Sequence, residues 1–280
     1  SGTPAATILG CNADMLPDVL SKLPEHLLTT YRVGCWYWET PDFPDEWADR
    51  FDLVDEIWAG TQFIADAIKR KAKIPVVVMP PMVMPPPVAR DRAWLATLLP
   101  EASRDEFMFL FQFDVASIPF RKNPEGVVAA FVEAFRPADP VRLIIKALNG
   151  EAHPELMLSL RAVANGHRVS FLTTALESVD RFRLLASADS FVSLHRAEGF
   201  GLSIAEAMAY GLPVVATAVN AVPDVVLPGE TGLLVSPERP RQLAGAINYL
   251  LNEPADAARM AMAGRLLIAD KFSSSSLATV

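Results

Sequence analysis

Residues 190–217 read SFVSLHRAEGFGLSIAEAMAYGLPVVAT and contain an apolar run, a glycine-containing loop, an apolar helical pattern and a second apolar run. The pattern predicts a strand that ends near His195, a helix that starts near Leu202 and stops at Gly211, and the strand LPVVAT. Ligands of an open parallel sheet bind beyond the carboxyl ends of its strands, where helix amino termini offer free N–H groups. The stretch therefore predicts an α/β fold and a ligand site within it.

The same alternation continues on both sides of this stretch. The runs FMFLFQF, VRLIIKAL, RVSFLTT and TGLLV are almost continuously apolar, and helical patterns separate most of them. Strands of this kind are buried on both faces, and their alternation with helices indicates right-handed βαβ units. Residues 89–280 are therefore predicted to form a Rossmann-like domain.

A proline-rich segment precedes that domain. Residues 80–88 read PPMVMPPPV, and neither a helix nor a central strand continues through so many prolines. We predict a linker there and a domain over residues 1–88 that ends in it. The runs ATILG, YRVGCWYW, DEIWAGT and PVVVMP are its only strand candidates, and no glycine-rich turn follows the first. This first domain is predicted to be abbreviated or truncated.

Composition narrows the class of protein. Of 280 residues 51% are hydrophobic and 21% charged, which is ordinary globular usage. The net charge of −8 comes without a clustered basic stripe, so nucleic acid is not an expected partner. No signal peptide or long apolar span is evident, and Cys11 and Cys35 show no metal or disulfide spacing. We expect a soluble protein of the cytoplasm.

Two carboxylates mark the candidate site. Glu206 is the only charged residue in the apolar helix SIAEAMAYGL, and a carboxylate there needs a partner. A ribose diol supplies two hydrogen-bond donors, whereas an arginine or a backbone group is the alternative partner. Glu198 lies eight positions earlier in the loop, and Gly199 and Gly201 let the backbone approach a phosphate closely.

These residues resemble a known family. Glu198 and Glu206 match the E-x7-E pattern of the retaining glycosyltransferases of family 4, also called group 1, and PGETGLLVSP follows at 228–237. The segment DVASIPFRKNPEGVVAAF at 114–131 is similar to the diphosphate-binding segment of the family, with Lys122 on the phosphate lysine. In the first domain, GCWYWETPDFPDEW, DEIWAGTQF and PVVVMPPMV resemble the later half of an acceptor domain in bacterial members that build surface polysaccharides.

The resemblance implies a GT-B fold with two Rossmann-like domains and the transfer of a hexose from a nucleotide diphosphate sugar to a saccharide or lipid-linked acceptor. In family terms Glu206 holds the ribose, Glu198 contacts the donor sugar, and Lys122 with Arg121 holds the diphosphate. The residues expected to bind the nucleotide sugar are Arg121, Lys122, Gly199, Phe200, Gly201, Leu202 and Glu206. Those expected to act in catalysis are Glu198, His195 and Lys122, although a histidine at a strand end is also a common structural residue.

No Asp-x-Asp sequence occurs, so no metal and no cofactor are expected. We expect cationic side chains and helix amides to stabilise the diphosphate in place of a metal ion. Lys146, at the end of VRLIIK, is a further cation; a solvated position is the alternative for it, as a solvated pair at a helix start is for Arg121 and Lys122. Asn12 and Asp14 follow the first apolar run and are weak candidates for acceptor contacts. A lipid-linked acceptor would bring the protein to the inner face of a membrane.

Three departures from the family pattern keep other functions open. Ser117 stands where many members carry an arginine, and residues 220–224 read NAVPD in place of Gly-Gly-x-Pro-Glu. The opening part of the usual first domain has no counterpart. A nucleotide-sugar binding protein without turnover and a nucleotide-sugar epimerase of the same fold are the alternatives, and the donor base stays open. The aromatic residues of the first domain suit sugar stacking, but core packing is their commoner role.

Overall fold

The computed structural model describes residues 5–237 and 239–277, which form two parallel sheets. The strands are β1 (Ala6–Leu9), β2 (Tyr31–Trp36), β3 (Glu56–Ala59), β4 (Val76–Val78), β5 (Phe107–Asp114), β6 (Val141–Leu148), β7 (Val169–Leu172), β8 (Ser190–Ser193), β9 (Val214–Thr217) and β10 (Leu233–Val235). Every run that the sequence predicts to be a strand is one. The α/β class is confirmed.

Helices connect these strands. The α-helices are α1 (Leu16–Ser21), α2 (Glu25–Leu28), α3 (Gln62–Lys69), α4 (Arg92–Leu98), α5 (Pro119–Lys122), α6 (Pro124–Ala134), α7 (Pro154–Ala164), α8 (Ser178–Ser187), α9 (Leu202–Ala209), α10 (Val222–Val225), α11 (Pro240–Asn252), α12 (Pro254–Lys271) and α13 (Ser274–Leu277). Single turns or short stretches of 3-10 helix cover Ala13–Met15, Asp45–Leu53 and Gly150–Ala152. Five helices start with a proline, whose fixed φ and missing N–H suit that position.

The smaller sheet has the order β1-β2-β3-β4, with all neighbours parallel. Its core contains three buried aromatic side chains among aliphatic ones: Trp36, Phe43 and Phe51 have ring centroids 5.5 to 5.7 Å apart. These rings pack against one another and stabilise the domain. Tyr37, which is 42% exposed, remains available to solvent.

The larger sheet has the order β10-β9-β8-β5-β6-β7 and is parallel throughout. Its central strands are buried on both faces because helices cover both sides, which explains their continuous apolar sequences. The chain moves outward from β5 through β6 to β7, then returns to β8 on the other side of β5. The cleft between β5 and β8 is therefore the switch point at which such sheets bind ligands.

Residues 80–88 contain no helix or strand and lie between the two sheets in the sequence. Val83 is nevertheless buried in the core beside the larger sheet, and its N–H donates to the carbonyl of Phe272 at 2.9 Å. The hydroxyl of Tyr210 donates to the carbonyl of Pro86 at 2.6 Å. The proline-rich segment is thus packed against the second half of the chain.

Within the described residues, none of the helices has the length and apolar character needed to span a bilayer.

Candidate active site

The candidate site is a cavity of about 310 Å³ at the carboxyl ends of the larger sheet's strands. All of its lining residues fall between Gln112 and Ile204. They come from the ends of β5 and β6, from the chain segments that follow β5, β7 and β8, from α8 and from the first turn of α9. The cavity therefore occupies the switch point that the strand order creates.

Glu198 is the centre of a charged cluster beside this cavity. The Nδ1 atom of His195 lies 2.7 Å from its Oε2 atom, and Lys122 donates to the same oxygen at 3.1 Å. Nη1 of Arg121 lies 3.7 Å from Oε2 and also donates to the carbonyl of Ala197 at 3.1 Å. The cluster joins the loop after β5 to the loop after β8. Three residues that the sequence assigns to catalysis, Lys122, His195 and Glu198, thus meet at one point.

Burial and neighbouring charge decide the protonation of this cluster. Burial by itself raises the pKa of Glu198, but the His195 ring and the Lys122 ammonium outweigh it and hold that pKa at about 2. Burial lowers the pKa of His195, and although Glu198 raises it, the cations Lys122 and Arg121 lower it further. His195 is therefore neutral at pH 7 while Glu198 is a carboxylate.

Helix α9 presents its amino terminus to the cavity. Gly201 is the N-cap, with φ at 86°, a left-handed conformation that favours glycine. No side chain caps this end, and Gly201, Leu202 and Ser203 all line the cavity. The unsatisfied N–H groups and the positive end of the helix dipole form an anion-binding arrangement beside Lys122.

Glu206 has a partner in the structure. Its two oxygens accept from Nη1 and Nη2 of Arg181 at 2.6 and 3.0 Å, a bidentate pair between α9 and α8. The arginine alternative that the sequence left open is thus the arrangement present here. Arg181 lines the cavity and is 38% exposed at its side chain, whereas Glu206 is buried behind it.

The remaining loop residues are divided between packing and the cavity. Phe200 is buried, and its ring centroid lies 5.4 Å from that of Phe272, so its side chain belongs to the core. A Cβ on Gly199 would stand 2.7 Å from the backbone oxygen of Trp38, so this glycine permits close contact between the loop and the chain that follows β2. Leu202 is half exposed at the cavity.

The two candidates for acceptor contacts, Asn12 and Asp14, lie outside the cavity. Oδ1 of Asn12 accepts the backbone N–H of Tyr37 at 2.7 Å, so its side chain fixes the end of β2. Asp14 is exposed in the first 3-10 turn. Neither residue lines the cavity.

Sequence reasoning missed the residues that connect the two halves of the chain at this site. The hydroxyl of Thr61, the N-cap of α3, donates to the carbonyl of Gly199 at 3.1 Å. A carboxylate oxygen of Glu39 lies 3.8 Å from Nη2 of Arg121, and the amide of Asn220 donates to the carbonyl of Glu39. No local pattern signals these contacts because they join residues far apart in sequence.

Two polar residues lie at the bottom of the cavity. The sequence did not identify Gln112, and it left Lys146 with a solvated position as the alternative. Gln112 and Lys146 are buried and line the cavity, and each lies in a mostly apolar strand. The solvated alternative for Lys146 is wrong because its side chain faces the interior, where burial lowers its pKa. A polar residue interrupting FMFLFQF was the available signal for Gln112.

Among the described residues no group of three or more histidine, cysteine, aspartate or glutamate side chains could hold a metal ion.

The sequence matches a family described as glycosyl transferases group 1, over residues 104–267. The alpha-D-kanosaminyltransferase of Streptomyces kanamyceticus is 29% identical over 81% of this chain and 60% of its own length. The D-inositol 3-phosphate glycosyltransferase of Rhodococcus opacus is 33% identical over 50% of the chain and 32% of its own length. A glycogen synthase of Mycobacterium tuberculosis is 34% identical over 41% and 29%. The chain thus covers less than two thirds of these relatives.

Solved structures share the fold. The Anabaena protein HepE in complex with UDP and glucose superposes with a TM-score of 0.79 at 19% identity, covering 98% of this chain and 76% of HepE. The sucrose-phosphate synthase of Thermosynechococcus elongatus gives a TM-score of 0.74 at 21% identity, covering 98% and 70%. At such identities the likeness concerns the fold alone.

Proposed function

The chain belongs to the group 1 glycosyltransferases and has the GT-B fold, and from these premises we propose that it transfers a hexose from a nucleotide diphosphate sugar to a saccharide or lipid-linked acceptor. We also propose membership of the retaining family 4, on the Glu198 and Glu206 spacing. The observation that carries the proposal is the cluster of Lys122, Arg121 and Glu198 at the open amino terminus of α9. HepE, which shares this fold, binds UDP and glucose.

The cationic end of the cavity suits a leaving diphosphate. Negative charge grows on the diphosphate as the glycosidic bond breaks, and fixed donors aimed at that position stabilise the transition state. Lys122 and Arg121 supply two positive charges, of which Glu198 balances one, and the N–H groups of α9 add a third source of positive potential. Glu39, the other acid near Arg121, is 38% exposed and is screened by water.

Glu206 and Arg181 form the proposed ribose subsite. Each carboxylate oxygen can accept more than one hydrogen bond, so the Arg181 pair leaves room for a diol. Arg181 also holds the carboxylate in one orientation, and its position on the cavity wall brings the pair within reach of a ligand.

Glu198 orients Lys122 and His195 and, in this proposal, contacts the donor sugar. Transfer breaks the bond between the anomeric carbon and the diphosphate oxygen and forms a bond from the acceptor oxygen to the same face of that carbon. The acceptor proton goes to the leaving phosphate oxygen. The neutral His195 ring holds Glu198 without competing for that proton, because its pKa lies below the ordinary range.

Residues 89–280 are proposed as the donor domain and residues 1–88 as the acceptor side. The cavity lining lies wholly in the second segment. Tyr37 is exposed and directly precedes Trp38, whose carbonyl approaches Gly199, so it is a further candidate for acceptor contacts beside Asn12 and Asp14. Fixed cations support an activity that needs no metal, and the free thiols Cys11 and Cys35 support a reducing cytoplasmic location, at the inner membrane face for a lipid-linked acceptor.

Ser117 favours one alternative, a protein that binds nucleotide sugar without turnover. It lines the cavity where many relatives are expected to carry an arginine, so less positive charge faces the diphosphate. The variant Ser117→Arg would restore that charge.

The experiment is a binding and turnover screen. Thermal stability is measured with nucleoside diphosphates and their sugars, since a ligand of the folded state raises the melting temperature. Release of nucleoside diphosphate from the best donor is then followed with an array of saccharide and lipid-linked acceptors. Acceptor-dependent release that Lys122→Met abolishes supports the proposal. Binding without release by the wild type or Ser117→Arg would overturn it, and turnover without acceptor would point to an epimerase or hydrolase.

A further inference from the structure

A row of polar side chains crosses the larger sheet directly beneath the cavity. In the parallel register Gln112 of β5 pairs with Lys146 of β6, which pairs with Leu172 of β7. Leu110 pairs with Phe191 of β8, so continuing that register places Ser193 beside Gln112. Side chains at one level of a parallel sheet share a face. Polar residues thus cap an otherwise apolar layer where the cavity begins.

These polar groups are incompletely satisfied by the chain. Lys146 is 6% exposed, and Nζ donates to the carbonyl of Thr174 at 2.8 Å and, at the limit of 3.5 Å, to that of Leu172. The described residues offer no carboxylate within 4 Å of Nζ and no acceptor for its third N–H. Gln112 is 8% exposed, and its Oε1 has no hydrogen-bond partner among them. Burying a polar group without a hydrogen-bond partner costs free energy, so we expect a ligand in the cavity to supply the missing partners.

Within this row, Lys146 lies on the β6 and β7 side of the cavity, away from the charged cluster. Lys122 and the start of α9 occupy the side of β5 and β8, whereas Lys146, Leu148 and Leu176 come from β6 and from the loop after β7. A nucleoside diphosphate carries its phosphates and its base at opposite ends. If the diphosphate lies at Lys122, a base at the other end of the cavity lies on the side of Lys146, where the two leucines offer apolar surface to its ring.

Building on the proposed function, we propose that Lys146 and Gln112 determine which nucleobase is accepted, and that they select a base bearing a ring carbonyl, uracil or guanine, against adenine. The ammonium of Lys146 has only donors to offer, and a ring carbonyl oxygen accepts the N–H that the chain leaves open. The carboxamide of Gln112 pairs with the adjoining edge of the base. Adenine carries an amino group where guanine carries its carbonyl, so two donors would meet there and the third N–H of Lys146 would stay open; a site built around a polar group rejects the analogue that cannot satisfy it. Burial also lowers the pKa of Lys146, which fits an enclosed ammonium.

Calorimetric titration of the full chain with UDP, GDP, ADP and inorganic pyrophosphate tests this role. Lys146→Met keeps the apolar stem and removes the ammonium, and Lys69→Met is the matched control because Lys69 is exposed on α3, outside the cavity. We expect the wild type and Lys69→Met to prefer UDP or GDP over ADP by at least about tenfold, the scale of one hydrogen bond to a charged group. Lys146→Met should lose that preference while its affinities for ADP and pyrophosphate stay within about twofold.

Each of the other outcomes contradicts either the base-selecting role or the proposed function. A base preference that survives in Lys146→Met, or an equal loss for pyrophosphate and all nucleotides, overturns the base-selecting role and leaves the proposed function standing. A wild type that binds no nucleoside diphosphate overturns the proposed function and this role with it. Circular dichroism and thermal melting verify folding. If Lys146→Met does not fold, Gln112→Met takes its place and must itself narrow the preference by at least about threefold.

Discussion

Glu198 should make the stability of the protein depend on pH in a defined window. Its pKa falls from the ordinary 4.5 to about 2 in the folded chain. Between these two values the unfolded chain binds more protons, so the carboxylate stabilises the fold above pH 4.5 and that contribution is lost as the pH falls toward 2. Its side chain is only 14% exposed, so water screens the contacts weakly.

The expected magnitude follows from that difference. A pKa about 2.5 below its ordinary value corresponds to about 3 kcal/mol of unfolding free energy at neutral pH. Integrating the linkage relation, about 1.4 kcal/mol of this contribution disappears between pH 6 and pH 3.5. Glu198→Gln removes the titrating group and keeps its shape, so the stability difference between wild type and variant should shrink as the pH falls over the same interval.

Urea unfolding measures this difference. Far-UV circular dichroism and tryptophan fluorescence are followed together at several values between pH 6 and 3.5, because coincident transitions are needed to derive a free energy. Glu155→Gln is the control, since Glu155 is exposed in the first turn of α7 and the substitution removes the same charge. Parallel curves for wild type and Glu198→Gln, or a Glu198→Gln curve equal to that of the control, would refute the assigned environment.

Three further outcomes are expected. Gly199→Ala should lower the melting temperature and weaken nucleotide binding, because its Cβ would stand 2.7 Å from the oxygen of Trp38. Gly245→Ala, in open space within α11, should instead stabilise the protein by about 0.5 to 1 kcal/mol. Equal melting temperatures for the two variants would contradict the packing argument. Glu206→Ala should weaken nucleoside diphosphate binding by about 1 to 3 kcal/mol in calorimetry, and unchanged binding would remove the ribose role. Binding and transfer should persist in excess chelator because fixed cations and helix amides face the diphosphate, and strict dependence on magnesium or manganese would show otherwise.

Local sequence determined the elements and the centre of the site. Apolar runs such as FMFLFQF predicted the central strands of the larger sheet, because a strand buried on both faces has no polar side to alternate. The loop RAEGFG and the apolar pattern after it predicted that a helix starts near Leu202, where α9 begins. Lys122, His195 and Glu198, which the family resemblance pointed to, lie together because the carboxyl ends of adjacent parallel strands share one edge.

Only the tertiary structure decided the partners of the buried polar groups. Glu206 was recognisable as a carboxylate in need of a partner, yet the choice of Arg181 depends on how α8 packs against α9. Lys146 could be solvated or buried until the register and the pleat of β6 turned its side chain toward the interior. The contact from Thr61 to Gly199 joins residues 138 positions apart. The sequence encodes local conformation through short-range sterics and periodicity, whereas such pairings arise only when separate elements are brought together, and no local pattern carries that information.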